Sequence, residues 1–463
     1  MNYPKKEVVL EEVSQPVFKK EYVPVLLSDA TMKARKEKVL TSMRNKGLDC
    51  IIVYCDTEHG SNFEYLTGFI SRFEESLLVL HASGEGYLLM GNENTRMVNY
   101  SRIEAKCIHV PFFSLPYQPM PNDDRLISYF EKAMIRPEMK VGLVGWKWFT
   151  SSYENNEQLF DLPHYVVKTI KEITTKVINV TEIFIDPQDG ARVVNNANEI
   201  AHYEFGASLA SLGVLQAMNA IEVGKSEMEI AALMNLGGQY NSVVTICATG
   251  DRFENANLYP SAKTIKAGDR LSLTVAYKGG LSSRAGYAVE KTEQLPQDQS
   301  DYLEVIVKPY FSTIATWLEE IHIGMLGKEM YALVDKILPQ SQYNWLLNPG
   351  HLTADEEWLT SMVSAESMGI IQSGMLFQVD IIPSVKGYGG ISVECTIALA
   401  DSQLRLEIEK QYPELWGLIA TRQKYIRDVI GINISDEVLP MSDTVAYCRP
   451  YLLDKNRALV VKK

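Results

Sequence analysis

What this chain of 463 residues lacks narrows its function before any motif is read. It is short of positive charge: 45 Lys and Arg stand against 58 Asp and Glu, a net charge of -13. Phosphate contacts need clustered cations, so nucleic-acid binding is excluded as the main function. The only basic concentrations, Lys33 to Lys38 and Lys462-Lys463, read as solvated faces. No apolar stretch approaches the ~20 residues a membrane helix needs, and no apolar run before Tyr22 has the form of a signal peptide. Cysteine is sparse and scattered, at Cys50, Cys55, Cys107, Cys247, Cys395 and Cys448, with no CxxC pair and no disulfide framework. A phosphate-binding GxxxxGK loop and internal repeats are absent too. The expectation is a cytoplasmic protein that engages neither nucleic acid nor membrane. What is present is an ordinary globular balance, 46% apolar and 22% charged, in a chain long enough for two or three domains.

Residues 1–29 are polar, carry Pro4, Pro16 and Pro24, and read as an extended arm that packs on a neighbour. Ser28 or Asp29 can cap a helix over Ala30 to Lys46, stopped by Gly47. Short β-branched runs at Asp49–Cys55, Ser76–Leu80, Gly86–Met90, Lys106–Val110 and Lys140–Val144, with a helix at Asp124–Ala133, predict a mixed α/β domain over 30–178. A second region, 190–445, opens on a long helix, Asn198–Ala220. Ser226 and Glu229 then have capping-box spacing before a helix over Glu227–Gly237. Strands are expected at Val243–Cys247, Arg270–Tyr277, Tyr287–Glu290, Met375–Ile382 and Ser392–Ala398. Helices are expected at Asp301–His322, Leu326–Ile337 and Asp401–Ile430. Segregated strands and helices make this an α+β domain. Residues 446–463 form a tail, and Val445–Val461 has the pattern of a final strand pair.

The motif order then resembles a known family. Phe63-Glu64-Tyr65-Leu66-Thr67-Gly68-Phe69 is followed by Glu199-Ile200 and by Gly224-x-Ser226-Glu227-x-Glu229-Ile230. After these come Gly268-Asp269, Gly350-His351, Gly374-Met375 and Glu394. The series is similar to the creatinase, prolidase and aminopeptidase P family over roughly residues 30 to 445. The resemblance implies a creatinase-like N-terminal domain, a C-terminal domain of the pita-bread fold, and a homodimer.

Peptidases of that family hold two divalent metals with Asp, Asp, His, Glu and Glu, a hard donor set that clamps a hydroxide and the scissile carbonyl. Carried over, the first Asp position is Thr274 and the second falls on Ser283 or Ala285. No Asp or Glu occurs between Asp269 and Glu290, so the bridging carboxylates are missing. His351 matches the histidine ligand, Asp380 stands for the first Glu, and Glu394 matches the last. This set predicts no dinuclear cluster and leaves room for a single weakly held divalent ion at His351, Asp380 and Glu394. The family's metal-free branch uses a histidine base eleven residues before the Gly of the GD pair. Here that position is Asn257, whose amide cannot take a proton at neutral pH.

The expected catalytic residues are therefore His351, Glu394 and Asp380, with no dedicated metal ligands. Arg284, Asn257, Thr274 and Ser283 are expected to bind substrate, Arg284 by gripping an anionic group or neutralising the carboxylates. Cys247 and Cys395 read as packing. Asp355, Glu356, Glu357 and Trp358 read as an exposed helix start after Thr353. The ligand is expected to be small and cationic or zwitterionic. The function expected is hydrolysis of a C–N bond in a small amino, guanidino or peptide-like substrate without a dinuclear metal centre. The alternatives are a ligand- or peptide-binding member without catalysis and an Xaa-Pro metallo-aminopeptidase.

Overall fold

The computed structural model describes residues 6–18, 22–118, 120, 123–254 and 259–462, in two compact units. One is Leu27–Val193; the other joins Met1–Leu26 to Val194–Lys463. Asn257 lies outside the described residues.

The unit Leu27–Val193 is built on a six-stranded mixed sheet. Its spatial order is Lys106–His109, Gly86–Met90, Ser76–His81, Cys50–Cys55, Val141–Val144 and Val177–Asn179. Cys50–Cys55 pairs antiparallel with Ser76–His81 and parallel with Val141–Val144. It is buried on both faces, which is why its sequence, CIIVYC, runs apolar without alternation. The helix Asp29–Asn45 begins where the Ser28 side chain accepts the Thr31 N–H, and Gly47 follows it at φ 61°.

The larger unit carries two four-stranded antiparallel sheets. The first has the order Ser392–Glu394, Gly280–Tyr287, Arg270–Tyr277 and Val243–Thr249. The second has the order His351–Leu352, Leu376–Gln378, Thr396–Leu399 and Val438–Pro440. The chain passes from one sheet to the other at Cys395, between Glu394 and Thr396. The long helix Ala197–Ala220 starts in a full capping box between Asn196 and Glu199. It approaches the Tyr277–Gly280 hairpin so closely that a Cβ on Gly206 would lie 1.9 Å from the Lys278 carbonyl oxygen. Only glycine fits there. Ser226 and Glu229 form the expected capping box, but the helix is short, Glu227–Ala231.

Several elements differ from their sequence pattern. Within the arm, Val8–Glu12 pairs antiparallel with Arg457–Val461, so this part of the arm and the tail close onto each other inside the larger unit. Only Arg457–Val461 is a strand in the expected 445–461 pair. The strand expected at Tyr287–Glu290 is instead Gly280–Tyr287, whose sequence GLSSRAGY has few β-formers and is held by pairing on both sides. The helix from Asp301 opens with a wider π turn at Leu303–Val307 before Lys308–Glu320. Pro309 sits at that junction and has no N–H to give to the ladder.

Candidate active site

The first sheet lays down half of the site as one cross-strand row. In the pairing register Ile246 faces Thr274, Thr274 faces Ser283, and Ser283 faces Glu394. Side chains along a strand alternate between faces, so Ser272, Ala285 and Ser392 fall on the same side as that row, and all seven line one cavity of about 270 Å³. Thr274 Oγ1 donates to Ser283 Oγ at 2.8 Å. Two neutral hydroxyls, bonded to each other, thus stand at Thr274 and Ser283, where the resemblance places the first Asp of the family peptidases and one of the two candidate positions, Ser283 or Ala285, for the second.

The second sheet supplies the other half. Asp380 follows Gln378 by two residues and reaches the same cavity. Gln378 is fully buried and ties the two halves together: its Nε2 donates to the Leu281 carbonyl at 2.7 Å and to Glu394 Oε1 at 3.2 Å. Thr396 Oγ1 donates to its Oε1 at 2.7 Å. His351 is carried on the short strand paired with Gln378. It follows Gly350, whose φ of 122° and close fit over the Trp317 ring leave no comfortable place for a side chain.

His351 is wholly buried and is not itself part of the cavity wall. Its Nε2 lies 2.8 Å from Glu357 Oε1 and 3.9 Å from Asp380 Oδ2, without an aligned hydrogen bond. Its ring stacks on Trp358, centroids 4.1 Å apart and planes 21° from parallel. Glu357 and Trp358, which both touch His351, line the cavity. The expected exposed helix start at these residues does not form. Thr353 Oγ1 donates to the Glu356 carbonyl instead, and Asp355, nearly buried, accepts from Tyr203 Oη at 3.0 Å.

Arg284 requires a second correction. It is buried, and its guanidinium gives every hydrogen bond to backbone carbonyls: Nε to Tyr447 at 2.9 Å, Nη1 to Ser283 and Glu394, Nη2 to Thr444. It neither lines the cavity nor reaches the side-chain carboxylates, and holds strand to loop instead. Cys247 and Cys395 are buried thiols whose pKa values are raised to about 12 and about 11 by burial, in keeping with packing.

The electrostatics follow from three carboxylates around one imidazole. Burial, together with the neighbouring Asp380 and Glu357, holds the Glu394 carboxyl well above the usual range. Asp380 is pushed up to about 6 by burial, with His351 opposing and Glu357 adding to the rise. Burial lowers the His351 pKa, but the Glu357 contact and the Asp380 charge outweigh it, and the net shift is upward. Ligand atoms of His351, Asp380 and Glu394 all lie within 4.8 Å of one another. One imidazole and two carboxylates suit one divalent ion. Thr274 and Ser283, on the neighbouring strands, offer no further charge.

Comparison with known proteins agrees with this architecture. A family model, the creatinase/prolidase N-terminal domain, matches residues 35–161. The Xaa-Pro dipeptidase of Pyrococcus furiosus is 25% identical over 296 residues, covering 60% of this chain and 81% of that protein. Among solved structures, prolidase from Pyrococcus furiosus superimposes with a TM-score of 0.59 at 18% identity, covering 78% of this chain and 96% of that one. Recombinant prolidase from Thermococcus sibiricus gives 0.62 at 17% identity, covering 80% and 95%. Xaa-Pro dipeptidase from Bacillus anthracis gives 0.60 at 15%, covering 80% and 96%. The N-terminal region thus matches the creatinase/prolidase N-terminal domain, and the chain as a whole shares the fold of prolidases and Xaa-Pro dipeptidases, with a pita-bread domain after the first.

Proposed function

We propose that this protein is a hydrolase of the creatinase/aminopeptidase P type that cleaves a C–N bond of a small amino, guanidino or peptide-like substrate without a dinuclear metal centre. The observation that supports it is the set of acids in one cavity: Glu357, Asp380 and Glu394 line it, with His351 behind them and hydroxyls at the metal-bridging positions. The Xaa-Pro dipeptidases it is similar to are hydrolases by name. General acid–base work needs groups that titrate near the working pH and environments that set them apart. Asp380, at about 6 and beside His351, takes the proton of the attacking water. Glu394, held protonated by burial, gives a proton to the departing nitrogen. His351 is a positioning residue: it takes up charge as Asp380 and Glu357 need it. A single divalent ion would be held by His351, Asp380 and Glu394, and when bound would polarise the substrate carbonyl or a water.

A second reading, ligand binding without turnover, is favoured by the stacking of Trp358 on His351, which covers a face of an imidazole that does not itself line the cavity. We further propose a homodimer, as the family resemblance implies, acting in the cytoplasm; the latter is supported by six cysteines that are all free. Among the described residues no helix is long and apolar enough to cross a membrane. The test is turnover of a panel of amino-acid amides and guanidino acids, with elemental analysis of the same preparation. Turnover that falls at least ~100-fold in Asp380→Asn, with no more than one ion per chain, is expected. Two ions per chain would sink the proposal, and binding without turnover would select the second reading.

A further inference from the structure

Resting on the reading of this cavity as the substrate site, we infer that the ligand is an amine with an apolar body and no carboxylate. The ionisable groups lining the cavity are Glu357, Asp380 and Glu394, and no Lys, Arg or His is among the described lining residues. The nearby guanidinium of Arg284 is committed to four backbone carbonyls. The stretch 255–258 reads Asn-Ala-Asn-Leu, so it adds no cation from sequence. A ligand ammonium thus meets three acids, whereas a ligand carboxylate meets no described counter-charge.

The remainder of the wall is of the opposite character. Val243, Ile246, Leu347, Ile382 and Ile391 join Trp358 around it, and Leu347 and Ile382 remain 46% and 44% exposed. Apolar area left open at a cavity mouth is stabilised by covering it with apolar ligand. In a free amino acid or dipeptide the carboxylate would be carried into this wall or toward the acids. An amine, an amino-acid amide or a peptide whose C-terminal end lies far outside avoids that repulsion.

The test is calorimetric titration of the full chain with 2-phenylethylamine, L-phenylalaninamide and L-phenylalanine, as purified and again after EDTA. The first two should bind at least about tenfold tighter than the third in both states, because like charges a few ångströms apart in reduced dielectric repel strongly. Ile382→Lys, a change at the exposed mouth, should narrow the gap to about threefold or less by supplying the missing cation. Phenylalanine binding as tightly as its amide in either state, or no amine binding at millimolar concentration, would overturn the inference. Turnover of L-phenylalaninamide is followed in parallel. A preference for the amide without turnover upholds the ligand class and removes the hydrolase reading. Turnover with equal or tighter binding of the zwitterion does the reverse.

Discussion

Two of the buried clusters of ionisable groups in the larger unit are built on opposite principles. In one, Arg422 lies between two carboxylates: Nε donates to Asp443 Oδ1 at 2.8 Å and Nη2 to Glu204 Oε1 at 2.7 Å. Ser208, the Pro440 carbonyl and Tyr22 complete the shell. Burial alone would lower the arginine pKa, yet the two acids hold it above its ordinary value. In the other, three acids share one imidazole, and Asp380 Oδ1 and His351 Nε2 have no aligned hydrogen bond. The first cluster is closed and does not front the cavity; the second opens on it. Buried charge that is matched atom for atom fixes a fold, whereas buried charge left short of partners keeps its capacity to bind or to exchange protons.

That contrast can be broken most forcefully at Arg422. Arg422→Met strands Glu204 and Asp443 and should cost about 3–5 kcal/mol in urea denaturation, since removing one partner of a buried pair leaves an uncompensated charge. A loss below about 1 kcal/mol would show that this cluster is not structural. Asp380→Asn should act in the opposite direction. The folded-state pKa of Asp380, about 6, lies above its ordinary value of 3.8, so the native state binds the proton more tightly than the unfolded chain does. Stability is therefore lost as pH rises from about 4 to about 6, and the penalty persists above that. Asp380→Asn should match the parent at pH 4 and exceed it by about 1–3 kcal/mol at pH 8. A variant less stable than the parent at pH 8 would mean that Asp380 is as well matched as Asp443.

Finer changes sharpen the comparison. Glu357→Gln removes the closest charge to His351, so the imidazole pKa should fall in an NMR titration. An unchanged titration would place the control in Asp380 alone. The smallest effect is expected at the hydroxyl pair, where Thr274→Val breaks one hydrogen bond and should cost about 1 kcal/mol or less. If it altered ion content by elemental analysis, the hydroxyls would be ligands rather than fillers of the missing Asp positions.

The site was only half legible in the sequence. Motif spacing marked Thr274, Ser283, Asp380 and Glu394; strand register sets Thr274, Ser283 and Glu394 in one row, and Asp380 reaches the same cavity. Strand alternation could also have warned against Arg284. A residue between Ser283 and Ala285 must point to the face opposite theirs, and it does. Glu357 and Trp358 were not legible, because local composition after Thr353 favours a helix start and only tertiary packing turns the chain back over His351. The pairing of Val8–Glu12 with Arg457–Val461 was hidden for a related reason: no local pattern records a partner more than four hundred residues away.

That pairing has a consequence for biosynthesis. A ribosome delivers all of Leu27–Val193 before most of the larger unit exists, so that compact body can complete its sheet early. The strand Val8–Glu12, made before it, must wait until Arg457–Val461 emerges, tens of seconds later at about 5–20 residues per second. Through that interval an edge with Val8, Val9 and Leu10 stands unpaired, a hazard for wrong strand addition. Glu11 and Glu12 close the same strand with charge, which discourages a second nascent chain from joining it before the proper partner arrives.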